Sequence, residues 1–455
     1  MLKDKRKELI KHVRDNQQYL SHNYEIYDIY RGNLLPYVVA ILESTLSKNY
    51  FDKIKSRVIP INILERYIKK VACAYENPPK RIANKPGYQE VVDYYVKEMS
   101  INHKGQIADQ YSHLFKGYAW EPYINEDKPS LRVLPYDRFI PYSDNQVDPT
   151  EETIFVKIMG KKKIGDREVA IYYSFSETEF DAFTSEGETY LPAFEGNDGV
   201  NLYQTIPFVY GKRAENELMP VQDTDILAMS KLVSVLLSDI SGAAMFQCFS
   251  IIYGIDLDME NAVMSPNALW SFKSDANSEK KPEVGTIKPE ADIDKIMSFI
   301  VSVFVMWLET KGVRVGSVGN VDAGNMASGI SKIIDEMDVY KVVKESVQAF
   351  QYDEQEFWKK MINIHNEWLV TGQVKGLPML GDDFEIQIIF PEPQPKRAKK
   401  DLIEEKKMEV DAGFKSKRRA IMELNPDMSE QELELELAEI NGEESVEVVV
   451  DAESI

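Results

Sequence analysis

Apolar positions recur at helical spacing through the first part of the chain, up to about residue 120. One stretch places four apolar side chains on a single helical face: Ile61, Leu64, Ile68 and Val71. Two prolines, Pro78 and Pro79, follow this stretch and end it. Further helical stretches run from about Tyr88 to Met99 and from about Ile107 to Phe115. The pattern therefore predicts a mainly helical N-terminal region.

Between about residues 130 and 212 the pattern changes to short runs of β-branched and aromatic residues with turn residues between them. Examples are LRVLPYDRFIPYSD, TIFVKIMG, REVAIYYSFS and LYQTIPFVYG. Residues of these types fit the pleated, half-buried surface of a sheet. The region is predicted to be an antiparallel β-rich unit.

Two strongly apolar helices are predicted on either side of residues 250–290. The first begins near residue 222, where Asp223 is a suitable N-cap. Its apolar residues recur in steps of three and four, and two leucines widen the stripe: Ile226, Met229, Leu232, Val233, Leu236, Leu237 and Ile240. The second runs from about 291 to 310 and is apolar nearly all round in its middle. The residues between the helices are predicted to form a small strand-rich insertion.

A glycine-rich segment, KGVRVGSVGNVDAGNMASG, follows the second apolar helix and carries five glycines in nineteen residues. A long helix is predicted after it, from about 329 to 371, which would measure roughly 60 Å if unbroken. Its periodic face consists of Ile330, Ile334, Met337, Tyr340, Val347 and Phe350. One strand, FEIQIIF, then ends at Pro391.

The C-terminal part combines a basic cluster with an acidic end. The connector PEPQPKRAKK precedes predicted helices at about 398–411 and 416–424, and the last 28 residues contain no lysine or arginine. The cluster either faces DNA or RNA or pairs with the acidic C-terminal helix, and we favour the pairing. Its candidate residues are Lys396, Arg397, Lys399, Lys400, Arg418 and Arg419.

The charge of the chain narrows the classes of partner. The 455 residues carry a net charge of -21, so a typical surface of this protein should repel nucleic acid, which suits a wall along which DNA slides. The two cysteines fit a reducing compartment. No secretory signal is evident, and the most apolar run, Ile296 to Leu308, is too short to span a bilayer. We expect a soluble protein made in the cytosol, with no membrane partner.

The segment Gly324–Ser331, GNMASGIS, is close to a phosphate-binding loop but has Ile330 where that loop needs lysine. The preceding segment is itself rich in glycine and is not a buried strand. The five histidines show no metal-ligand spacing, and no nucleophile signature is present. We therefore predict no catalytic residue, no cofactor, no metal site and no enzymatic activity.

The order of these parts resembles the portal proteins of tailed bacteriophages, the head-to-tail connectors, and in particular the family of many long-tailed phages of Gram-positive bacteria. Five stretches carry the likeness: YEIYDIYRGN with the helix after it, LRVLPYDRFIPYSD with QTIPFVYGKR, ELMPVQDTDILAMSKLVSVLLSDISGAAMF, AGNMASGISKIIDEMD, and EIQIIFPEPQPKRAKKDLIEEKKMEVDAGFKSKRRAIMELNP. The likeness departs in residues 250–290 and in the acidic tail.

The resemblance implies a mainly helical α+β portal architecture with a β-rich wing, paired stem helices, a small α/β clip and a helical crown. The implied ranges are wing 1–221 (β-rich at 130–212), stem 222–249, clip 250–290, stem 291–311, tunnel loop 312–328, long wing helix and returning strand 329–395, crown 396–440 and flexible acidic tail 441–455.

The resemblance also implies a function and a set of partners. Portal subunits form a ring, expected to be a dodecamer, at one capsid vertex, where double-stranded DNA passes without sequence specificity during packaging and ejection. The other implied partners are the terminase motor, the major capsid and scaffolding proteins and the head-completion or adaptor proteins. The expected location is the virion, after assembly in the host cytoplasm.

Specific residues take roles under this interpretation. The tunnel-loop residues expected near DNA are Val318, Asn320, Val321, Asp322, Asn325 and Met326. Acidic residues that would keep DNA from adhering to the channel are Asp292, Asp294 and Glu309. Residues expected to pack the stem are Ile226, Val233, Leu236, Ile240, Phe299, Phe304 and Trp307. Two alternatives stay open: an acidic capsid-associated scaffolding or interaction protein, and a nucleotide-binding enzyme that uses the Gly324–Ser331 loop.

Overall fold

The computed structural model describes residues 2–194, 199–213, 216–248, 251–255, 283–287, 293–315, 337–392, 399–425, 433–434 and 436–437. The fold is α+β, 53% helical and 18% strand, with several small sheets, which confirms the predicted fold class at that level. Two compact units are present: the body, Met1–Pro393, and the C-terminal unit, Gln394–Ile455.

Helices dominate the first 115 residues, as predicted, and recur later in the chain. In the body they are α1 Leu2–Asp15, α2 Gln17–Tyr30, α3 Leu35–Thr45, α4 Lys48–Ile54, α5 Ile63–Val71, α6 Pro86–Glu98, α7 Ile101–Phe115, α8 Thr224–Cys248, α9 Ile293–Thr310 and α10 Tyr340–Val370. In the C-terminal unit they are α11 Lys399–Asp411 and α12 Lys417–Leu424. Short 3₁₀ turns lie at Lys55–Arg57 and Leu191–Phe194.

Antiparallel sheets make up the β-rich part of the body. The strands are β1 Lys80–Ala83, β2 Gly117–Asn125, β3 Lys128–Leu134, β4 Phe139–Tyr142, β5 Ile154–Ile164, β6 Arg167–Phe175, β7 Phe180–Thr184, β8 Val209–Lys212, β9 Ile251–Ile255, β10 Glu283–Ile287, β11 Arg314–Val315, β12 Met337–Asp338 and β13 Ile386–Ile389. The described sheets have the strand orders β3-β2-β8, β4-β5-β6-β7, β1-β13, β9-β10 and β11-β12. The β-rich unit thus begins at Gly117, earlier than the predicted residue 130.

The long helix α10 differs from its prediction at its N-terminal end. Met337 was predicted on the helical face, but it lies in β12, where it pairs with Val315 of β11. The helix begins only at Tyr340 and spans 31 residues, or about 46 Å, rather than roughly 60 Å. The predicted helical residues Ile330 and Ile334 lie outside the described residues. Pairing with a strand from elsewhere in the chain therefore overrides the helical periodicity at Met337 and Asp338.

Helix α1 is fastened to the four-stranded sheet by both apolar and ionic contacts. Leu2, Leu9 and Val13 lie on one helical face and are buried against residues of β4 to β7. The Arg6 guanidinium binds the Asp181 carboxylate through two parallel hydrogen bonds, Nε to Oδ2 at 2.6 Å and Nη2 to Oδ1 at 2.7 Å. Because paired guanidinium–carboxylate bonds fix orientation as well as distance, this contact sets how α1 lies on the sheet.

Helix α10 carries two adjacent buried carboxylates that bind partners from distant parts of the chain. Glu354 accepts hydrogen bonds from Arg81 Nε at 2.6 Å and Nη2 at 2.7 Å, and from the Tyr75 hydroxyl at 2.7 Å. Asp353 accepts a hydrogen bond from the Tyr118 hydroxyl at 2.7 Å. The Tyr75 ring fits only because Gly105 lies beside it, where a Cβ would stand 2.4 Å from the ring. These contacts tie β1, β2 and the connection after α5 to α10.

Asp353 is expected to make the stability of the body depend on pH between about 4 and 6. Burial raises the pKa of its carboxyl to about 6, although the Arg213 charge and the Tyr118 hydrogen bond oppose this. Between about pH 4 and pH 6 the Asp353 carboxyl is therefore protonated in the folded state and ionised in the unfolded state. This contribution is fully present below about pH 4 and is lost as the pH rises to about 6.

Asp353→Asn keeps an oxygen acceptor for Tyr118 and removes the titration. Between pH 4 and pH 7 the wild type should therefore lose about 2 kcal/mol in free energy of unfolding that the variant does not lose. Urea denaturation at both pH values measures this difference. Wild-type and variant profiles that run parallel would show that Asp353 does not titrate in this range.

Candidate functional site

The two apolar helices α8 and α9 run antiparallel and are joined at both ends. At one end Lys311, just after α9, donates to Asp223 Oδ1 at 2.6 Å and to Asp225 Oδ1 at 2.7 Å, at the start of α8. At the other end β9, which follows α8, forms an antiparallel ladder with β10, which precedes α9. With 25 and 18 residues the helices are about 37 and 27 Å long. The predicted pair of apolar helices with a strand-bearing insertion is therefore present, although residues 256–282 lie outside the described part.

Helix α8 packs against the rest of the body through apolar and hydroxyl side chains. Its buried apolar residues are Ile226, Leu227, Met229, Val233 and Leu237. Three serines at intervals of four, Ser230, Ser234 and Ser238, are buried as well. Ser238 Oγ accepts a hydrogen bond from the backbone N–H of Ile59 at 3.1 Å, and Ser234 Oγ accepts one from Ile61 at 3.1 Å. The sequence analysis did not identify these serines, although their four-residue spacing on an apolar helix was a usable signal.

Helix α9 has one buried face and one exposed face. Its buried residues are Ile300, Phe304, Trp307 and Leu308, and the Trp307 ring lies 4.9 Å from the ring of Tyr67. On the opposite face Phe299 and Met306 are 58% and 64% exposed. They stand seven residues apart, which is two helical turns, with Ser302 exposed between them. The helix therefore presents two large apolar side chains to its surroundings.

The residues predicted to pack the stem divide into three groups. Ile226, Val233, Phe304 and Trp307 are buried in the body's own core, Leu236 and Ile240 are half-buried against it, and Phe299 is exposed. Of the acidic channel candidates, Asp294 and Glu309 are exposed on α9, whereas Asp292 lies outside the described residues. Also outside are the tunnel-loop candidates Val318, Asn320, Val321, Asp322, Asn325 and Met326. Their roles in a channel stay predictions.

The C-terminal unit pairs several of its own charges. Lys406 of α11 and Lys415, between α11 and α12, each lie within 3.0 Å of a carboxylate oxygen of Glu409 and of Glu423. These two ammonium groups lower the pKa of Glu423 to about 2. Arg419 Nε lies 3.5 Å from Glu423 Oε1, and Arg418 is also on α12.

The structure does not test whether the remaining basic residues of the crown pair with the acidic C-terminal helix. Lys399 and Lys400 begin α11, and Lys396 and Arg397 lie outside the described residues. Most of the acidic C-terminal segment is also outside them. The pairing of the basic cluster with that segment therefore stays a prediction.

One described helix contains an apolar segment of membrane-spanning length. This segment of α8, Thr224–Ala244, is long and apolar enough to cross a membrane by length and composition, and half of its most apolar stretch is buried in the protein. Burial against the body accounts for its apolar character, because a core helix has the same composition.

Within the described ranges, no group of three or more His, Cys, Asp or Glu side chains is arranged to hold a metal ion.

Comparison with known proteins gives similarities at the level of structure only. No protein-family model and no curated protein matches the chain. One similar solved structure is a chain from the virion of a native gene transfer agent particle, 12% identical, with a TM-score of 0.37 over 83% of this chain and 93% of that chain. Another is from the neck of an empty gene transfer agent particle computed with C6 symmetry, 11% identical, with a TM-score of 0.33 over 87% and 93%. TM-scores at this level do not establish a shared fold.

Proposed function

We propose that the chain is the subunit of a portal-type ring, a conduit for double-stranded DNA at one vertex of a phage-like capsid. The observation that carries the proposal is the exposed face of α9, with Phe299 and Met306, on an antiparallel helix pair that leads into the β9–β10 ladder. This arrangement fits the stem and clip that the sequence resemblance implies. In that role the protein has no catalytic activity, and a separate motor protein drives the DNA.

Contact between copies would cover this exposed face. Burying a large apolar side chain contributes about 1.5–3 kcal/mol, so two such residues repeated on every subunit favour association. Helix α8 exposes a complementary apolar residue, Leu232. A contact between the α9 face of one copy and the α8 face of the next uses two different surfaces. Such a head-to-tail contact closes into a ring when the rotation between copies permits.

The charge of the chain suits a channel through which DNA moves without being held. Asp294 and Glu309 are exposed near the two ends of α9, and the whole chain carries a net charge of -21. Like charge lowers the affinity for phosphates regardless of base sequence. The terminase motor, the major capsid and scaffolding proteins and the head-completion proteins are the partners that such a ring requires. A mainly helical scaffolding protein, the first alternative, would not contain the sheets found between Gly117 and Lys212.

Purified full-length protein is expected to form rings with a central hole. Sedimentation velocity across the micromolar range should show a discrete large species, and negative-stain microscopy should show its annular shape. Because the proposed contact is apolar, the species should persist when the salt concentration is raised. A chain that stays monomeric at all concentrations, or that forms only unclosed aggregates, would contradict the proposal. ATP titration of the same preparation tests the nucleotide-binding alternative.

A further inference from the structure

A cavity of about 540 Å³, lined by both polar and apolar groups, lies in the body among α5, α7, β8, the start of α8, the turn after α9, and α10. Its size is within the range of small-ligand sites, and it exceeds what a single water or chloride ion would need. Five side chains in its wall matter for what it can bind: Tyr67, Lys116, Lys212, Arg213 and Lys311. Four of the five are cationic.

Two of the cationic groups form no direct ion pair with a carboxylate among the described residues. The Lys116 ammonium forms no hydrogen bond or ion pair within the described part of the chain. The Lys212 ammonium donates to the backbone carbonyls of Thr150 at 2.7 Å and Glu217 at 3.1 Å, which carry no net charge. Lys311 differs, because Asp223 and Asp225 neutralise it. Lys116 and Lys212 are therefore the two ammonium groups of the wall that no described carboxylate contacts directly, although Asp225 and Glu217 lie near Lys116 and Asp148 lies near Lys212.

Two further groups leave donors available in the same wall. Tyr67 is only 6% exposed, and its hydroxyl has no hydrogen-bond partner among the described residues. Arg213 uses Nη2 to reach Ser112 Oγ at 2.9 Å, and its guanidinium lies over the Phe350 ring at 4.9 Å. Its nearest carboxylate oxygen, Asp109 Oδ1, is 3.9 Å away. The remaining N–H groups of Arg213 can therefore serve a ligand.

Carboxylates also border the cavity. Glu217 and Glu345 also line it, but both are exposed, and Glu345 lies 3.9 Å from Lys341. Solvent and salt screen exposed charges strongly, whereas groups in a partly enclosed wall interact through a lower dielectric. Neither exposed carboxylate forms an ion pair with Lys116 or Lys212, so an anion in the cavity can approach both ammonium groups.

We propose that this cavity binds an oxyanion of the phosphate class, with Tyr67, Lys116 and Arg213 as hydrogen-bond donors and Lys212 as an additional positive charge. The volume favours a ligand with two linked phosphoryl groups over a single orthophosphate. Such chemistry has two possible sources, a free diphosphate compound or the phosphodiester backbone of DNA. Phe299 and Met306 do not line the cavity, so the binding measurement tests this proposal separately from the proposed α9 contact.

The backbone at Lys116 supports a role that is not simply structural. This residue ends α7 with φ of 57°, in the left-handed region where glycine is the favoured residue. Burial, together with the Lys311 charge, lowers the pKa of its ammonium group, although the Asp225 and Glu217 carboxylates oppose this. A lysine at this position therefore adopts an unfavourable backbone conformation, and its ammonium group is partly removed from water. A bound anion would supply a counter-charge in direct contact with this ammonium group.

Titration calorimetry of the full chain with pyrophosphate, at fixed ionic strength, tests the proposal. Wild type should bind, Lys116→Gln should weaken binding at least about tenfold, and Tyr67→Phe should weaken it by a smaller factor. Lys48→Gln removes the same charge from an exposed position and should leave binding unchanged. Lys116→Gly relieves the left-handed backbone, so its melting temperature should equal or exceed that of wild type while binding is lost. That combination separates a lost site from a lost fold.

Competition with a short blunt DNA duplex distinguishes the two sources of the anion. If the duplex displaces pyrophosphate from wild type and fails to bind Lys116→Gln, the site takes phosphodiesters. If pyrophosphate binds and the duplex does not compete, the site takes a free diphosphate compound. Absence of pyrophosphate binding by wild type, or equal binding by wild type, Lys116→Gln and Tyr67→Phe, overturns the proposal. Negative-stain images of the same samples report ring formation independently.

Discussion

Replacing Arg81 by methionine is expected to lower the free energy of unfolding by about 3–5 kcal/mol. The Arg81 and Glu354 side chains are 4% and 0% exposed, and the guanidinium makes two hydrogen bonds to the carboxylate. Without Arg81 the carboxylate would remain buried with only the Tyr75 hydroxyl as a strong donor. The free-energy cost of leaving the Glu354 charge buried without a counter-ion exceeds the stabilisation that the packed methionine side chain can provide. Urea denaturation followed by circular dichroism measures the loss.

The exposed ion pair Lys69–Glu65 provides the matched control. Its Nζ–Oε1 distance of 2.6 Å equals the shortest distance in the buried pair, but both side chains are exposed. Lys69→Met should therefore cost less than about 1 kcal/mol. The double variant Arg81→Met/Glu354→Met should be more stable than Arg81→Met alone, because it removes the orphaned charge. Similar losses for Arg81→Met and Lys69→Met would mean that burial adds nothing at this site.

This buried pair also illustrates what the sequence could not reveal. Arg81 and Glu354 are 273 residues apart, and each is an ordinary charged residue in its local context. The same applies to β1 and β13, which pair at Lys80 and Ile389 across the body. Hydrophobic periodicity is a local property, so it reports whether a segment is helix or strand and which face is apolar. It carries no information on which distant segment supplies a partner.

Local signals did predict the elements of the candidate site. The steps of three and four in α8 and the continuous apolar run in α9 gave helices within a few residues of their observed bounds. Which face of α9 is buried could not be predicted from the sequence. The helix is apolar nearly all round, so its pattern does not indicate which side packs against the body. Phe299 and Phe304 look equivalent in the sequence, yet one is exposed and the other fully buried. Only the packing of α9 against the body separates them.

That separation allows a decisive test of the proposed self-association. The double variant Phe299→Asp/Met306→Asp should fold normally, because both side chains are exposed in the single chain and exposed substitutions change stability by only about 0.5 kcal/mol. In a ring the same changes would place two carboxylates in an apolar contact at every interface. The loss of apolar burial alone corresponds to about 3–6 kcal/mol per interface, and desolvation of the charges adds to it. Sedimentation velocity should therefore find monomers where wild type forms rings.

The control must add the same charge to exposed apolar positions elsewhere, since a chain with a net charge of -21 already repels its copies. Val147→Asp/Leu191→Asp meets this need, because both residues are exposed in the body and neither lies on α8 or α9. Rings in this control and none in Phe299→Asp/Met306→Asp would assign the contact to α9 rather than to general repulsion. Rings in both variants would exclude the α9 face as the interface. Loss of rings in both would show that added charge anywhere on the chain prevents assembly, and it would contradict a stem built on the α9 face.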